Sequence, residues 1–203
     1  MSASIQSFLS NLDSHSGPAK SERFYVQFAP PPILNANLMR DLQYQCEVSE
    51  IPGIRVTTVD YRIYGPKKHV ATGREYEEIS FSIICTNDFY EKPLFDAWID
   101  LINPQASGWD MNYKSIYAQT ISLFQLDVTG NVIYGVNLIN AFPIKVNSLH
   151  NRWADDSYHK LAVTFYYDRY DVIISNLEGF NQSTIFNGVN PTTSSIVYDD
   201  GTI

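Results

Sequence analysis

The sequence lacks any apolar run that approaches the ~20 residues a membrane-spanning helix needs. Its first residues, MSASIQSFLSNLDSHSGP, lack the basic segment followed by an apolar segment that marks a secretory signal. Cysteine is scarce, because the chain has only Cys46 and Cys85, and these form no CxxC pair. We therefore expect a soluble protein made in a reducing cytosol, with both thiols free and no membrane insertion by the monomer.

The sequence also lacks the short motifs that accompany common enzyme chemistries. The patterns GxSxG, GxxxxGK(S/T), HExxH and GxGxxG are all absent. The nearest approach to a metal-binding cluster is His150, Asp155, Asp156 and His159, whose spacing matches no dedicated ligand pattern. We expect ordinary turn polarity there, and we expect no catalysis, no metal site and no cofactor.

Basic residues are too few for a surface that grips nucleic acid. The chain has 14 Lys and Arg against 22 Asp and Glu, which gives a net charge of −8. An acidic body of this kind repels phosphate.

Residues 51–88 open on Pro52-Gly53, turn at Gly65-Pro66 and return through Gly73 into a predicted strand, so a long excursion separates two predicted strands. A compact domain seldom carries so long a connection unless it is functional. Residues 54–74 contain five Lys or Arg and one acid, so they carry +4 while the rest of the chain carries −12. A basic arm on an acidic body complements another copy of itself, which predicts head-to-tail contacts that close into rings or continue as filaments. The alternative is a solvated hairpin without a partner. The candidate docking residues are Arg55, Arg62, Tyr64, Lys67, Lys68 and Arg74.

Short runs rich in Val, Ile, Thr and aromatic residues favour strands over helices. The predicted strands are residues 23–29, 42–50, 76–86, 117–128, 132–140, 141–149 and 160–170. Pro143 cannot donate to a strand ladder, so it predicts an edge or bulged segment. One helix of about three turns is predicted after Asn87-Asp88, with an apolar stripe at Leu94, Phe95, Trp98, Leu101 and Ile102. The fold class predicted is mainly β: an antiparallel sandwich or barrel-like domain with one flanking helix and a long inter-strand arm.

Two predicted strands alternate apolar and polar residues, which places one face in the core and the other in water. The core-facing residues are Leu42, Tyr44, Cys46 and Val48 in the first strand and Ile79, Phe81, Ile83 and Cys85 in the second. The opposite, wet face contains acids and no bases, with Glu47, Glu78, Ser80 and Ser82 as its notable members.

The chain divides into three predicted parts. Residues 1–20 form an N-terminal arm with a short amphipathic helix, residues 21–173 form the β domain, and residues 174–203 form a polar C-terminal arm. Ile5, Phe8, Leu9 and Leu12 give the helix one apolar face, which packs either on its own domain or on a neighbour.

Several segments, taken in order, resemble a known family. They are the strand ending at Ile51-Pro52-Gly53, the ISFSIICTND run leading into FDAWID, the MNY triplet, the Gly130-Asn131 hairpin, NAFPIKV, and the closing LAVTFYYDRY. Together they resemble the tail tube proteins of contractile-tailed bacteriophages of the T-even-like group. The resemblance covers residues 23–171 and rests on the order of the segments.

The resemblance implies a structural subunit that assembles six to a ring, with rings stacked into a hollow conduit for DNA ejection inside a contractile sheath. The long arm would then reach toward the adjacent ring. The lumen of such a tube is usually acidic, which makes Glu47, Glu78, Ser80 and Ser82 the lumen-facing candidates; the alternative is a solvated outer face. The implied partners are other copies, sheath protein, the baseplate hub or tube initiator, the tail terminator, and tape-measure protein and genomic DNA that pass without specific binding. The implied location is the virion tail, after assembly in the host cytoplasm.

Two alternatives stay open. Residues beyond Asp171 extend past the shorter tube proteins, which suits a baseplate-proximal tube initiator or the tube of a related contractile injection particle. From a different class, Trp109 and Tyr113 could form the aromatic platform of a receptor- or carbohydrate-binding β-sandwich.

Overall fold

The computed structural model describes residues 5–14, 17–62, 64–108, 110–153 and 158–173. Its helices are α1 (Ile5–Ser14), α2 (Ala36–Asp41), α3 (Glu91–Ile102) and α4 (Lys114–Tyr117), with 3-10 helices at Leu42–Tyr44 and Gln105–Ser107. Its strands are β1 (Phe24–Phe28), β2 (Cys46–Ser49), β3 (Ile54–Tyr61), β4 (Lys68–Tyr76), β5 (Ile79–Ile84), β6 (Gln119–Leu126), β7 (Val132–Val146), β8 (Lys160–Tyr166) and β9 (Arg169–Ile173). The predicted mainly β chain with a flanking helix and a long inter-strand arm is confirmed. The predicted C-terminal arm, residues 174–203, lies outside the described residues.

Seven strands form one antiparallel sheet in the order β1-β6-β7-β8-β5-β2, and β9 pairs with β7 off this path. The 15-residue strand β7 is shared between two parts of the sheet. Its first part, Gly135 to Ile139, pairs with β9, and its last part, Phe142 to Val146, pairs with β8. Strands β9 and β8 therefore pair with successive parts of β7.

The two parts of β7 meet at Asn140, a non-glycine residue with φ 55°. Ile121 pairs with Leu138 whereas Gln119 pairs with Ala141, so β7 carries an extra residue here, which is a β-bulge. The Asn140 side chain donates from Nδ2 to Asp168 Oδ2 over 2.9 Å, and Lys114 Nζ donates to the other oxygen of the same carboxylate. Both hydrogen bonds lower the pKa of Asp168, and the one from Lys114 has the larger effect. A second register shift follows between Pro143 and Lys145, as expected for a proline in this strand.

The core is built around aromatic side chains. The Phe165 ring lies 5.5 Å from the Phe81 ring and 5.7 Å from the Trp98 ring, both edge to face. Helix α3 contributes Phe95 and Trp98, and Trp98 Nε1 donates to the carbonyl oxygen of Tyr117 over 2.9 Å. Because the indole N–H is paired, the largest core side chain is buried without an unsatisfied donor.

Helix α3 begins on a buried acid. Glu91 is fully buried, and its Oε1 accepts a hydrogen bond from the backbone N of Thr86 over 2.9 Å. The helix thus fixes the chain that leaves β5. The predicted helix and the burial of Leu94, Phe95 and Trp98 are confirmed, and Leu101 and Ile102 are partly buried.

The prediction of one strand over residues 42–50 is wrong. Residues Leu42–Tyr44 form a 3-10 helix, and β2 covers only Cys46–Ser49. Cys46 pairs with Ile83 but Val48 pairs with Ser82, so Glu47 is the extra residue of a bulge. A bulge reverses the alternation, and Val48 is consequently 49% exposed. Tyr44 lies in the 3-10 helix before the bulge and is 81% exposed.

Two further sequence predictions need correction. The strand predicted at residues 160–170 is divided into β8 and β9 by a turn at Tyr167-Asp168, where the Asp168 N–H donates to the Ile139 carbonyl oxygen over 3.1 Å. The short helices α2 and α4 were not predicted. Helix α2 is capped by Asn35, whose side chain accepts from the Asn37 N–H.

Helix α1 forms as predicted, and Ile5, Phe8 and Leu9 on its apolar face are exposed. Among the described residues, no helix has both the length and the apolar character needed to cross a membrane.

Candidate functional site

The predicted docking arm is a two-stranded antiparallel hairpin of β3 and β4 that stands apart from the seven-stranded sheet. Every residue of β3 is exposed, as is every residue of β4 except Tyr76. The structure brings the six predicted docking residues onto this one element: Arg55 on β3, Lys68 and Arg74 on β4, and Arg62, Tyr64 and Lys67 in the connection.

Local sequence explains why the arm forms a hairpin. Strand β3 contains the β-branched run Val56-Thr57-Thr58-Val59, which favours extended backbone. Gly65 has φ 79°, a value that favours glycine, and it precedes Pro66 in the turn.

The tip of the hairpin is held by one carboxylate. Asp60 accepts from Lys67 Nζ at 3.0 Å through Oδ2 and lies 2.8 Å from His69 Nδ1 through Oδ1. Lys67 is therefore partly neutralised within its own arm. Within the described part of the chain, no ion pair joins Arg55, Arg62, Lys68 or Arg74 to a carboxylate, so these four carry the free positive charge.

The arm is attached through Tyr76 at the end of β4. Its ring lies 6.0 Å from the Tyr167 ring and 5.7 Å from the Tyr170 ring. The face of the hairpin that carries Tyr76 therefore points toward its own body at the base.

The predicted lumen-facing residues do not form one cluster. Ser80 and Ser82 alternate with the buried residues of β5, and Ser80 Oγ lies 3.1 Å from Thr164 Oγ1. Glu78 is exposed just before β5, whereas Glu47 lies on β2 near the other end of β5. The two acids are thus about five residues apart along the strand direction, or roughly 17 Å.

Sequence reasoning missed a base on this face. Lys160 Nζ lies 2.8 Å from Glu47 Oε1 and 2.7 Å from Oε2, and the hydrogen bond to Glu47 raises the pKa of Lys160. The alternation of Leu161, Val163 and Phe165 into the core shows that Lys160 lies on the wet face of β8. The sequence does not show that β8 and β2 lie on either side of the same strand, β5.

Other sites carry little chemistry. No group of three His, Cys, Asp or Glu that could hold a metal occurs among the residues that the structure describes, and Asp155 and Asp156 lie outside them. Burial raises the pKa of Cys46 to about 12, so its thiol stays protonated at neutral pH. Tyr113 is exposed, whereas Trp109 lies outside the described residues.

Comparison with solved structures identifies a fold class. A chain of the anti-feeding prophage tube-terminating cap is similar at TM-score 0.59 and 19% identity, over 78% of this chain and 92% of that chain. A chain of the PVC sheath-tube complex of an extracellular contractile injection system is similar at TM-score 0.59 and 17% identity, over 86% and 100%. A chain of the PVC sheath/tube terminator gives TM-score 0.57 and 18% identity, over 77% and 96%. At these identities the likeness shows a shared fold.

The family is given by the sequence itself. Residues 19–173 match the phage tail tube protein family model, which is most of the chain, and the protein belongs to that family. No curated protein matches it. As a member of a family of structural tail components, it is a structural protein and not an enzyme.

Proposed function

We propose that this protein is the tube subunit of a contractile tail, with six copies in a ring and rings stacked into a hollow conduit for DNA inside a sheath. The observation that carries the proposal is the hairpin arm, which is basic, exposed along its length and outside the main sheet of an acidic body. A surface of this kind is matched by another copy of the same chain.

Contacts within a ring come from the edges of the sheet. Strands β1 and β2 end the sheet order, and β9 is paired with β7 on one side. An open edge presents unpaired N–H and C=O groups that are ready to pair with another chain. Edge pairing between neighbouring copies would close the ring.

Contacts between rings come from the arm. Arg55, Arg62, Lys68 and Arg74 carry its free charge, and Tyr64 at the tip is exposed. The acidic body of a copy in the next ring attracts these cations, and its apolar surface covers the tyrosine.

The wet face of β2, β5 and β8 faces the lumen in this proposal. Its hydroxyls, such as Ser80 and Ser82, give DNA no cation to bind. Because Lys160 offsets Glu47, Glu78 supplies more of the repulsive charge than Glu47 does. Movement of the tube is a rigid-body translation when the sheath shortens, and it uses no cofactor.

The other proposed partners follow from the same assembly. The outer wall contacts sheath protein, one end meets the baseplate hub or initiator, the other end meets the tail terminator, and the lumen holds tape-measure protein and then DNA. The subunit assembles in the host cytoplasm and ends in the virion tail.

Negative-stain electron microscopy of the full chain over a concentration series tests the proposal. Stacked six-membered rings or hollow tubes are the expected result, alone or after a baseplate is added. Monomers under both conditions would refute self-assembly, and retention of such monomers on a glycan array would instead favour the binding-module alternative with Tyr113.

Charge reversal tests the arm. Arg62→Glu with Lys68→Glu should shorten tubes or abolish stacking while the circular dichroism of the monomer is unchanged. Arg152→Glu, an exposed cation of the body, is the matched control and should leave tube length unchanged. Equal tube lengths in the arm variant and the control would remove the arm from stacking. Charge reversal at Lys67 and Lys68 is less informative, because Lys67 already pairs with Asp60.

The lumen assignment has its own test in a tailed particle. Glu78→Lys should slow DNA ejection more than Glu47→Lys, because Glu78 is the acid without a neighbouring lysine. Normal ejection in both variants would move this face out of the lumen.

A second candidate is supported by the solved structures. The similar chains come from an anti-feeding prophage cap and from an extracellular contractile injection system, so the chain could be the tube or the initiator of a related injection particle. Purified particles that contain this chain and no nucleic acid would favour that candidate.

A further inference from the structure

The hairpin arm carries apolar side chains on both of its faces. Residues paired across an antiparallel ladder point to the same face, and successive residues of a strand alternate. Ile54 and Val56 lie on the face that also carries Tyr76, and we call them the proximal patch. Val59, Tyr61 and Val70 lie on the opposite face nearer the tip, and we call them the distal patch.

A bulge on β4 holds the distal patch together. Thr57 pairs with Gly73 but Thr58 pairs with Ala71, so Thr72 is the extra residue, and its Oγ1 donates to the Thr57 carbonyl oxygen over 3.1 Å. Without the extra residue, Val70 would fall on the face opposite to Val59. With it, the two valines are direct cross-strand partners.

In the part of the chain that the structure describes, both patches are about half exposed. Val56 is 50% exposed, Val59 is 55% exposed and Val70 is 52% exposed. A two-stranded hairpin alone in water is only marginally stable, so an arm of this composition needs packing from another surface. The two patches point in opposite directions, and one flat docking surface can cover only one of them.

We propose that each arm is clamped between two other copies of this chain, one covering the proximal patch and the other covering the distal patch. Charge complementarity selects copies as the occupants, because the arm carries +4 and the rest of each chain carries −12. The copy that covers the proximal patch enters the corner between the arm and the body of the chain that carries this arm, where Tyr76 packs against Tyr170. This inference rests on the proposed self-assembly and adds that one arm joins three chains.

Single substitutions in each patch test the clamp. Val56→Ser and Val59→Ser should each raise the critical concentration for tube assembly about fivefold, because each removes one half-exposed valine from a buried contact. Thr57→Ser, on the exposed strand between the patches, is the matched control and should change it less than twofold. Circular dichroism of each variant below the critical concentration checks that the body is folded. If either patch variant behaves like the control, docking is one-sided and the clamp is wrong.

Photocrosslinking counts the chains directly. Full chain with a photoreactive phenylalanine at both 56 and 59 is diluted into excess unlabelled chain, allowed to assemble and irradiated. A three-chain adduct is expected from the double label, and only two-chain adducts from either single label. Assembly without any three-chain adduct overturns the clamp but leaves the tube proposal intact, whereas failure of the unmodified chain to assemble, with or without a baseplate, overturns both.

Discussion

The bulge in β7 at Asn140 gives a prediction whose size can be derived from the structure. Asn140 has φ 55° and donates to Asp168 over 2.9 Å. Asn140→Ala keeps a Cβ in the left-handed region and loses the hydrogen bond. Asn140→Gly loses the same hydrogen bond but removes the Cβ, so the two variants differ in backbone preference.

The expected costs follow from these two terms. An L-residue other than Asn, Asp or Gly in the left-handed region costs about 1–2 kcal/mol. A hydrogen bond to a charged group contributes about 1.5–3 kcal/mol, but the Asp168 side chain is 40% exposed, which reduces this to about 1 kcal/mol. We therefore expect Asn140→Ala to lose about 2–3 kcal/mol of unfolding free energy, and Asn140→Gly to lose about 1 kcal/mol less.

Urea denaturation of the monomer, followed by circular dichroism, measures both variants. The pKa of Asp168 is lowered in the folded state, so the stability it contributes is present above its ordinary value of 3.8 and is lost as pH falls through the folded value. The difference in unfolding free energy between Asn140→Ala and the unmodified chain should thus narrow as the pH falls below 3.8. An Ala variant as stable as the Gly variant would refute the backbone argument, and a gap independent of pH would refute the role of the Asp168 charge.

Three further predictions concern the core. Trp98→Phe should cost about 2 kcal/mol, because it removes the donor to the Tyr117 carbonyl and leaves a small cavity; an unchanged urea midpoint would contradict this. Gly135→Ala should lower the Tm by an amount equivalent to about 1–3 kcal/mol, since its Cβ would lie 3.0 Å from Phe124 Cδ1, and an unchanged Tm would show that the ring moves freely. Burial raises the pKa of Tyr167 from 10.0 to about 12, so the unfolding free energy that this residue contributes is full below pH 10 and falls as the pH rises toward 12. Tyr167→Phe should lessen that fall and change the unfolding free energy little at pH 7. An alkaline stability profile identical to that of the unmodified chain would contradict the role of Tyr167.

Strands and helices with uninterrupted periodicity could be predicted from the sequence. The alternation of Ile79, Phe81 and Ile83 gave the correct faces of β5, and all three are buried. The apolar stripe through Leu94 and Trp98 gave helix α3. In these elements the local pattern and the tertiary packing agree, so no partner strand is needed to interpret them.

Apart from the one at Pro143, the bulges could not be predicted, because a bulge is a relation between two strands. The extra residue at Glu47 exposes Val48, and the one near Asn140 shifts the register of β7 against β6. Neither residue is marked in its own strand, since both are ordinary polar residues in an alternating run. The ion pair between Lys160 and Glu47 could not be predicted either, because it depends on the order of the strands in the sheet.

The sequence predicted that the arm is a basic hairpin, but it did not show that the arm has apolar patches on both faces. Charge and turn residues revealed a basic hairpin, because both properties are local. Its two-sided character needed the register, since only the bulge at Thr72 places Val70 beside Val59.

In the proposed tube, the stability of the body and the contacts between rings reside in different parts of this chain. The body is closed by the aromatic contacts of Phe165 and Trp98 and by helix α3, and at the base of the arm Tyr76 packs against Tyr167. Beyond that residue the arm is held by its own cross-strand pairs and by Asp60. Substitutions in the outer arm should therefore change the critical concentration and leave the unfolding of the monomer unaltered, whereas Trp98 variants should lower monomer stability first. This separation makes a loss of tubes in an arm variant interpretable as a lost contact between copies and not as a misfolded subunit.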